Sequence, residues 1–334
     1  MQRKNWLGTA VTAAFLFAGC IAGYVRPVAA DEHYGAKYFT NLPLTTQDGK
    51  TVHFYDDVLK GKIVAINLIY TNCEYSCPLE TARLAQVQKI LGNRVGKDIF
   101  FYSITIDPER DTPQVLKSYA EKFHAGPGWT FLTGKKEDID LISRKLGLWS
   151  PPAQTKDGHT PHLLIGNEAA GQWMRDSAGD NPKFLANLIG NFMDNWKNAA
   201  NGNAPPKKSY AEAAPLHLDI GAYLFSKQCA ACHTIGMGDK IGPDLLGVTL
   251  TRDHDWLVRM IREPEKMMAE KDPIATALYE KYKQVKMPRL PVGNEDMAAL
   301  MKFLESQDRK MTAGGVVGAV VQTQPGTEPK KTSQ

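Results

Sequence analysis

Two close pairs of cysteines carry most of the chemistry open to this chain. The first is Cys73 and Cys77, within Thr71-Asn72-Cys73-Glu74-Tyr75-Ser76-Cys77-Pro78-Leu79-Glu80. A largely apolar run at 62–70 precedes it and reads as a buried strand. Pro78, a residue suited to a first helical turn, leads into helical spacing over 81–91. The thiols therefore stand where a strand turns into a helix, whose free N–H groups favour thiolate over thiol. The spacing predicts both thiols on one side of the first helical turn, where they can share an ion. Thiolates suit Cu(I), and one added imidazole makes a trigonal set that also holds Cu(II). His159, in a polar loop before a late strand, is the best candidate; His162 begins that strand.

The second pair is Cys229-Ala230-Ala231-Cys232-His233, the attachment pattern of a c-type haem. Both thiols add to the haem vinyls and the imidazole becomes an axial ligand. A zinc site would want two more ligands close by. Candidates for the second axial position are Met237, His254, Met260, Met267, Met268 and Met287. Met287 stands out, because Lys286-Met287-Pro288 marks a helix-to-loop boundary ahead of a closing helix with Met297, Leu300, Met301 and Phe303. A thioether there raises the haem potential relative to a second imidazole.

Strands are expected at 62–70, 99–106, 129–132, 162–165 and 172–175, with an Asp48-Gly49 hairpin turn ahead of them. Helices alternate with these strands: 81–91, a helix capped by Thr112 and opened by Pro113, 139–146, and one bearing Phe184, Leu188, Ile189 and Phe192. This order implies a mostly parallel α/β sheet with a late antiparallel part. A cysteine pair at a strand-to-helix junction points further, to a thioredoxin-like fold. Residues 197–215 are Asn-, Ala-, Pro- and Lys-rich and read as a flexible linker. Beyond them the spacing is helical only, so a small all-α domain is expected over 216–308 and a disordered tail over 309–334.

Residues 1–30 have the layout of an export signal: Arg3 and Lys4, an apolar run over 6–25, then Val28-Ala29-Ala30. The run is nearly long enough for an uncleaved membrane anchor, and Cys20 closes a stretch similar to a bacterial lipobox. Each alternative places the rest, beginning with a first domain over 31–196, in the periplasm or on the periplasmic face of the inner membrane. A 43% apolar share with 23% charged residues is ordinary for a soluble globular chain. A net charge of +4 without a basic, aromatic-rich cluster argues against nucleic-acid binding.

Residues 41–195 resemble the Sco (SenC) family of copper-binding, thioredoxin-like proteins. The resemblance rests on Cys73 to Pro78, on Ile106-Asp107-Pro108-Glu109-Arg110-Asp111-Thr112-Pro113, on Leu132-Thr133-Gly134, and on His159-Thr160 followed by Leu164-Ile165. It implies Cys73, Cys77 and His159 as copper ligands, with Asp107 helping to orient the site. It also implies a metallochaperone that carries copper to the dinuclear centre in the copper-bearing subunit of cytochrome c oxidase. The chain departs from the family at Glu74 and Tyr75, where Pro and an acid are usual, and at Gly158, where Asp is usual. Residues 216–307 resemble small class I cytochromes c through the haem motif, Ile241-Gly242-Pro243-Asp244-Leu245 and Met287-Pro288. That likeness implies one covalent haem with His233 and Met287 as ligands and Pro243 beside the histidine, Met267 and Met268 being the runners-up.

Two other functions fit the first pair. Cys73 and Cys77 are also the redox-active thiols of a thiol-disulfide oxidoreductase that reduces the oxidase's copper-ligand cysteines, or of a copper or redox sensor. A haem passes one electron, as a Cu(II)/Cu(I) couple does, whereas a disulfide takes two. The fused haem therefore matches copper, with a respiratory electron donor or acceptor as a further partner.

Overall fold

Strand Ile63–Ile69 (β3) is buried at every position. A continuous apolar run of this kind suits the centre of a sheet covered on both faces. The computed structural model describes residues 35–149, 162–193 and 219–313, all within one compact unit. Among them Pro43–Thr46 (β1), Thr51–His53 (β2), β3, Ile99–Thr105 (β4), Trp129–Thr133 (β5), His162–Asn167 (β6) and Gln172–Ser177 (β7) form one sheet, ordered β2-β1-β5-β4-β3-β6-β7. Strands β3, β4 and β5 run parallel, and β6 and β7 add the antiparallel part expected late in the chain. The Asp48-Gly49 hairpin forms too. It pairs antiparallel with β5, which gives the sheet a second antiparallel edge that periodicity alone did not place.

Helices Cys77–Leu91 (α1), Pro113–Lys122 (α2) and Pro182–Asn187 (α4) border one face, where Leu84, Val87, Leu116 and Leu185 join Ile63, Phe101 and Phe131 in a core. Helix Lys136–Lys145 (α3) and the short segment Phe54–Leu59 cover the other, through Ile139, Ile142, Phe54 and Val58. This is the α/β, thioredoxin-like arrangement expected. Thr112 caps α2 as its sequence predicts, accepting from the Val115 N–H. Helix α4 differs from expectation: it continues as a widened turn over Leu188–Phe192. Leu185, Leu188 and Ile189 form the buried i, i+3, i+4 face, while Phe184 lies off that face and Phe192, at the end of the widened turn, is exposed.

The C-terminal region is helical: Ile220–Leu224 (α5), with a widened turn Phe225–Cys229, then Val248–Thr251 (α6), His254–Arg262 (α7), Pro264–Ala269 (α8), Pro273–Lys281 (α9) and Asn294–Ala313 (α10). Two of these, α6 and α8, are too short to leave a period in the sequence. Helix α10 runs past residue 308, where the tail was expected to begin. Asp308 is the reason: it is buried, and its carboxylate accepts from the Gly247 and Thr249 N–H groups at 2.6 and 3.0 Å, fastening the start of α6. No helix among the described residues is long and apolar enough to cross a membrane. The expected export segment, linker and tail lie outside the described residues, except for the part of the tail in α10.

The two regions are packed together. Ala231 and Ile241 of the haem-motif segment are buried in the core beneath α1, and Leu79 of α1 packs on that core and on the helical region's own. Gln86 donates from Nε2 to the Ala230 and Ala231 carbonyls at 3.2 and 3.3 Å. The sequence predicted a haem domain on a flexible linker; burial of Ala231 and Ile241 against α1 gives it a fixed seat.

Helices α5 and α10 cross in contact at Gly221, where an added Cβ would stand 2.2 Å from the Ala299 carbonyl oxygen and 2.5 Å from Phe303 Cβ. Gly221→Ala is expected to cost about 1–3 kcal/mol through overpacking. Denaturant unfolding of the haem-loaded chain measures it, and an unchanged midpoint would contradict this crossing.

Candidate metal centres

After β3 the chain turns sharply, and the Cys73 N–H donates to the Tyr70 carbonyl at 3.2 Å. Thr71 is fastened to the buried Asp111 carboxylate, which accepts from the Thr71 N–H at 3.1 Å and from the Thr71 and Thr105 hydroxyls. Helix α1 then begins at Cys77, with Ser76 as N-cap and Pro78 in the first turn. Cys73 thus sits in the loop before the helix and not on its first turn as the spacing predicted. The bent loop over 73–76 brings the thiols together, with Cys73 2% and Cys77 0% exposed.

The two thiols have opposite acidities. Hydrogen bonding from the Cys77 thiol is the largest influence on Cys73. The Cys77 and Tyr75 backbone and the Tyr70 side chain add to it, and together they outweigh burial and hold Cys73 at about 6. Burial pushes Cys77 well up, and its thiolate neighbour and Glu80 add to that. The pair therefore holds one thiolate and one thiol at neutral pH. Both cysteines are unpaired, so the arrangement offers a nucleophile or a soft-metal site.

Asp111 is the acid that sequence reasoning missed. The resemblance put this role on Asp107, but the Asp107 carboxylate faces Arg110 at 3.7 Å while Asp111 ties down the thiol loop. Its signal was position: Asp111 directly precedes the Thr112-Pro113 helix start, where the block turns inward. His159 lies outside the described residues. Among the described residues no group of three or more His, Cys, Asp or Glu side chains is gathered as a metal site.

The second pair opens on a cavity of about 580 Å³, lined by Cys229, Cys232, His233, Trp256, Tyr279 and Met287 among others. That volume is in the range of cofactor pockets. His233 Nδ1 lies 2.8 Å from the Pro243 carbonyl oxygen, which fixes the ring and leaves Nε2 free to bind iron. A Cβ on Gly242 would come within 2.7 Å of the same ring, so only glycine lets it sit there. Burial lowers the His233 pKa and keeps the imidazole neutral, as a ligand must be. Burial also pushes Cys229 up to about 12 and Cys232 to about 11. Thiols so reluctant to ionise suit neutral thioether links better than a zinc thiolate site. These residues fit a covalently attached haem.

Of the six axial candidates, Met260, Met268 and Met287 line this cavity. Met267 is buried elsewhere in the helical region, Met237 is 85% exposed, and His254 is on the surface beside Asp255. The loop of Met287 also reaches the first pair. Lys286 Nζ donates to Asn72 Oδ1 and Glu74 Oε1, both at 2.9 Å, and the Arg289 N–H donates to the Glu74 carbonyl oxygen at 3.0 Å. Glu74 itself lines the haem cavity.

Residues 30–164 match the model of the SCO1/SenC family, and residues 218–308 match that of cytochrome c. A SCO1 protein homolog of Bacillus subtilis is 34% identical over 175 residues, covering 51% of this chain and 86% of its own length. Two solved structures are similar over the first domain. One is a SCO1/SenC family lipoprotein from Bacillus anthracis, 27% identical, covering 46% of this chain and 92% of that one with a TM-score of 0.40. The other is Bradyrhizobium japonicum ScoI with copper bound, 26% identical, covering 46% and 98% with a TM-score of 0.37.

Thiolate absorbance of the copper-free, haem-loaded chain, taken as a difference against Cys73→Ser, is expected to titrate with a midpoint of about 6. Cys77→Ala should raise that midpoint by removing the thiol that donates to Cys73. A midpoint in the ordinary thiol range in the unaltered protein would contradict the split.

Proposed function

This chain belongs to the SCO1/SenC family, and from that premise we propose that it is an exported metallochaperone. It takes up copper at Cys73, Cys77 and His159 and delivers it to, or matures, the dinuclear copper centre of cytochrome c oxidase. Cys229 and Cys232 hold one haem c, with His233 and Met287 as its axial ligands. The observation that carries this reading is the burial of two adjacent thiols, Cys73 and Cys77, at the foot of the Met287 loop, where the Arg289 N–H meets the Glu74 carbonyl.

The residues divide the work. Cys73 is already a thiolate and offers the first sulfur to Cu(I), while Cys77 gives up its proton as the metal arrives. His159 adds the imidazole that lets the site keep Cu(II) as well. Asp111 holds the loop through Thr71, so the sulfurs stay in place with or without cargo. The haem, when bound, supplies a one-electron store; His233 is held for it by Pro243, and the apolar wall around Trp256 excludes water. Export to the periplasm and a respiratory donor or acceptor complete the reading.

A second reading rests on the same lowered pKa of Cys73. An attacking thiol with a pKa near ambient pH is what a thiol-disulfide oxidoreductase needs. Anaerobic copper titration of the reduced, haem-loaded chain separates the two. One copper per chain is expected, with stoichiometric uptake lost in Cys73→Ala and Cu(II) retention lost in His159→Ala. Equal copper binding by Cys73→Ala, together with turnover of a disulfide substrate by the unaltered protein, would favour the oxidoreductase.

A further inference from the structure

We propose that Glu74 is the bridge between the thiol pair and the haem, holding the Met287 loop on the thiol loop so that one electron passes between the two centres within a single chain. This rests on the reading above for the copper at Cys73 and Cys77 and for Met287 as axial ligand.

Glu74 directly follows Cys73, and both its main chain and its side chain are engaged by the loop that carries Met287. Its carbonyl oxygen accepts from the Arg289 N–H at 3.0 Å, and its carboxylate meets Lys286 Nζ at 2.9 Å. Lys286 and Arg289 flank Met287-Pro288, so both contacts close on the ligand loop itself. Lys286 also takes the Asn72 side chain, so the thiol loop is gripped on both sides of Cys73.

From Cys73 Sγ to Met287 Sδ there is then one continuous path. It runs along the main chain to the Glu74 carbonyl, across a single hydrogen bond to Arg289 N, and back through Pro288 to Met287. No gap through empty space interrupts it. The ion pair is partly exposed, with side chains 33% and 42% accessible, and a pair in that setting adds little to stability. Its value is in registering the two loops. Packing beneath the bridge keeps them from sliding, because Leu79, two residues beyond Cys77, is held between both cores.

The step is simple to balance. With copper held by Cys73 and Cys77 and a ferric haem by His233 and Met287, one electron passing from Cu(I) to the haem would leave Cu(II) and ferrous iron. No bond forms or breaks, and no proton need move. Glu74 is a positioning residue in this step. Its place right after the first cysteine is one where the family usually has proline, and a proline side chain has no carboxylate to offer Lys286.

Stopped-flow mixing of the anaerobic ferric full chain with Cu(I) tests the bridge. A phase of haem reduction whose rate does not depend on protein concentration is expected. Glu74→Lys and Lys286→Glu should each slow it by ~tenfold or more, and the double exchange Glu74→Lys with Lys286→Glu should restore most of the loss. Single variants that react at the original rate, or a double exchange as slow as either single, would overturn the bridge. Copper stoichiometry is measured in the same samples, so failure to take up copper counts against the proposed function and not against Glu74. In that event the thioether-to-ferric charge-transfer band decides. Weakening in each single variant and recovery in the double supports the bridge, and an unchanged band in all three overturns it.

Discussion

Leu79, half-buried, packs against two hydrophobic cores at once, and the seating of the helical region against α1 depends on that shared contact. It stands on the first turns of α1, whose buried residues face the sheet on one side and the haem-motif segment on the other. Hydrophobic burial is non-directional and scales with area, so a helix covered on two faces is held more firmly than a surface helix. That firmness is what the thiol loop needs. Cys77 opens α1 and Cys73 hangs from the turn before it, so any displacement of α1 would part the two sulfurs.

The same physics gives opposite results at the two cysteine pairs. All four thiols are largely buried, and burial alone penalises a thiolate. At Cys229 and Cys232 the charge of Arg83, joined by Lys240 at Cys232, offsets only part of it, so both thiols are held well above their ordinary range. At Cys73 the loop turns its N–H groups and two side-chain donors onto one sulfur, and hydrogen bonding overrides burial. Cys77 stays protonated because it is the donor. One pair thus suits the covalent attachment proposed for it and the other the soft cation.

Much of this was legible in the sequence wherever the determinant is local. The run at β3, the Thr112-Pro113 helix start, the Asp48-Gly49 turn and the Cys-x-x-Cys-His motif each act over a few residues, and each appears where expected. What was hidden depends on distant partners. Ala230 and Ala231 look like filler between motif cysteines, yet their carbonyls take Gln86 and Ala231 is buried under α1. The place of Asp111 before the Thr112-Pro113 helix start was the one local hint, and its partners Thr71 and Thr105 meet it only in the folded chain. Phe192 misled because a widened turn ends at it, and Phe184 because it lies one residue off the buried face of Leu185, Leu188 and Ile189. Glu74 was visible only as a departure from a family pattern, and its reason lies on a loop more than two hundred residues downstream.

If Cys73 and Cys77 hold copper and the second pair holds a haem, as proposed, the contacts between α1 and the haem-motif segment make the two centres one packed unit. Electron-spin relaxation tests it most directly. With Cu(II) loaded and the haem ferric, the iron should shorten the relaxation of the copper signal in the intact chain, and the effect should persist on dilution. Copper relaxation that is the same in the ferric chain and in the chain with its haem reduced to the diamagnetic state would contradict the account.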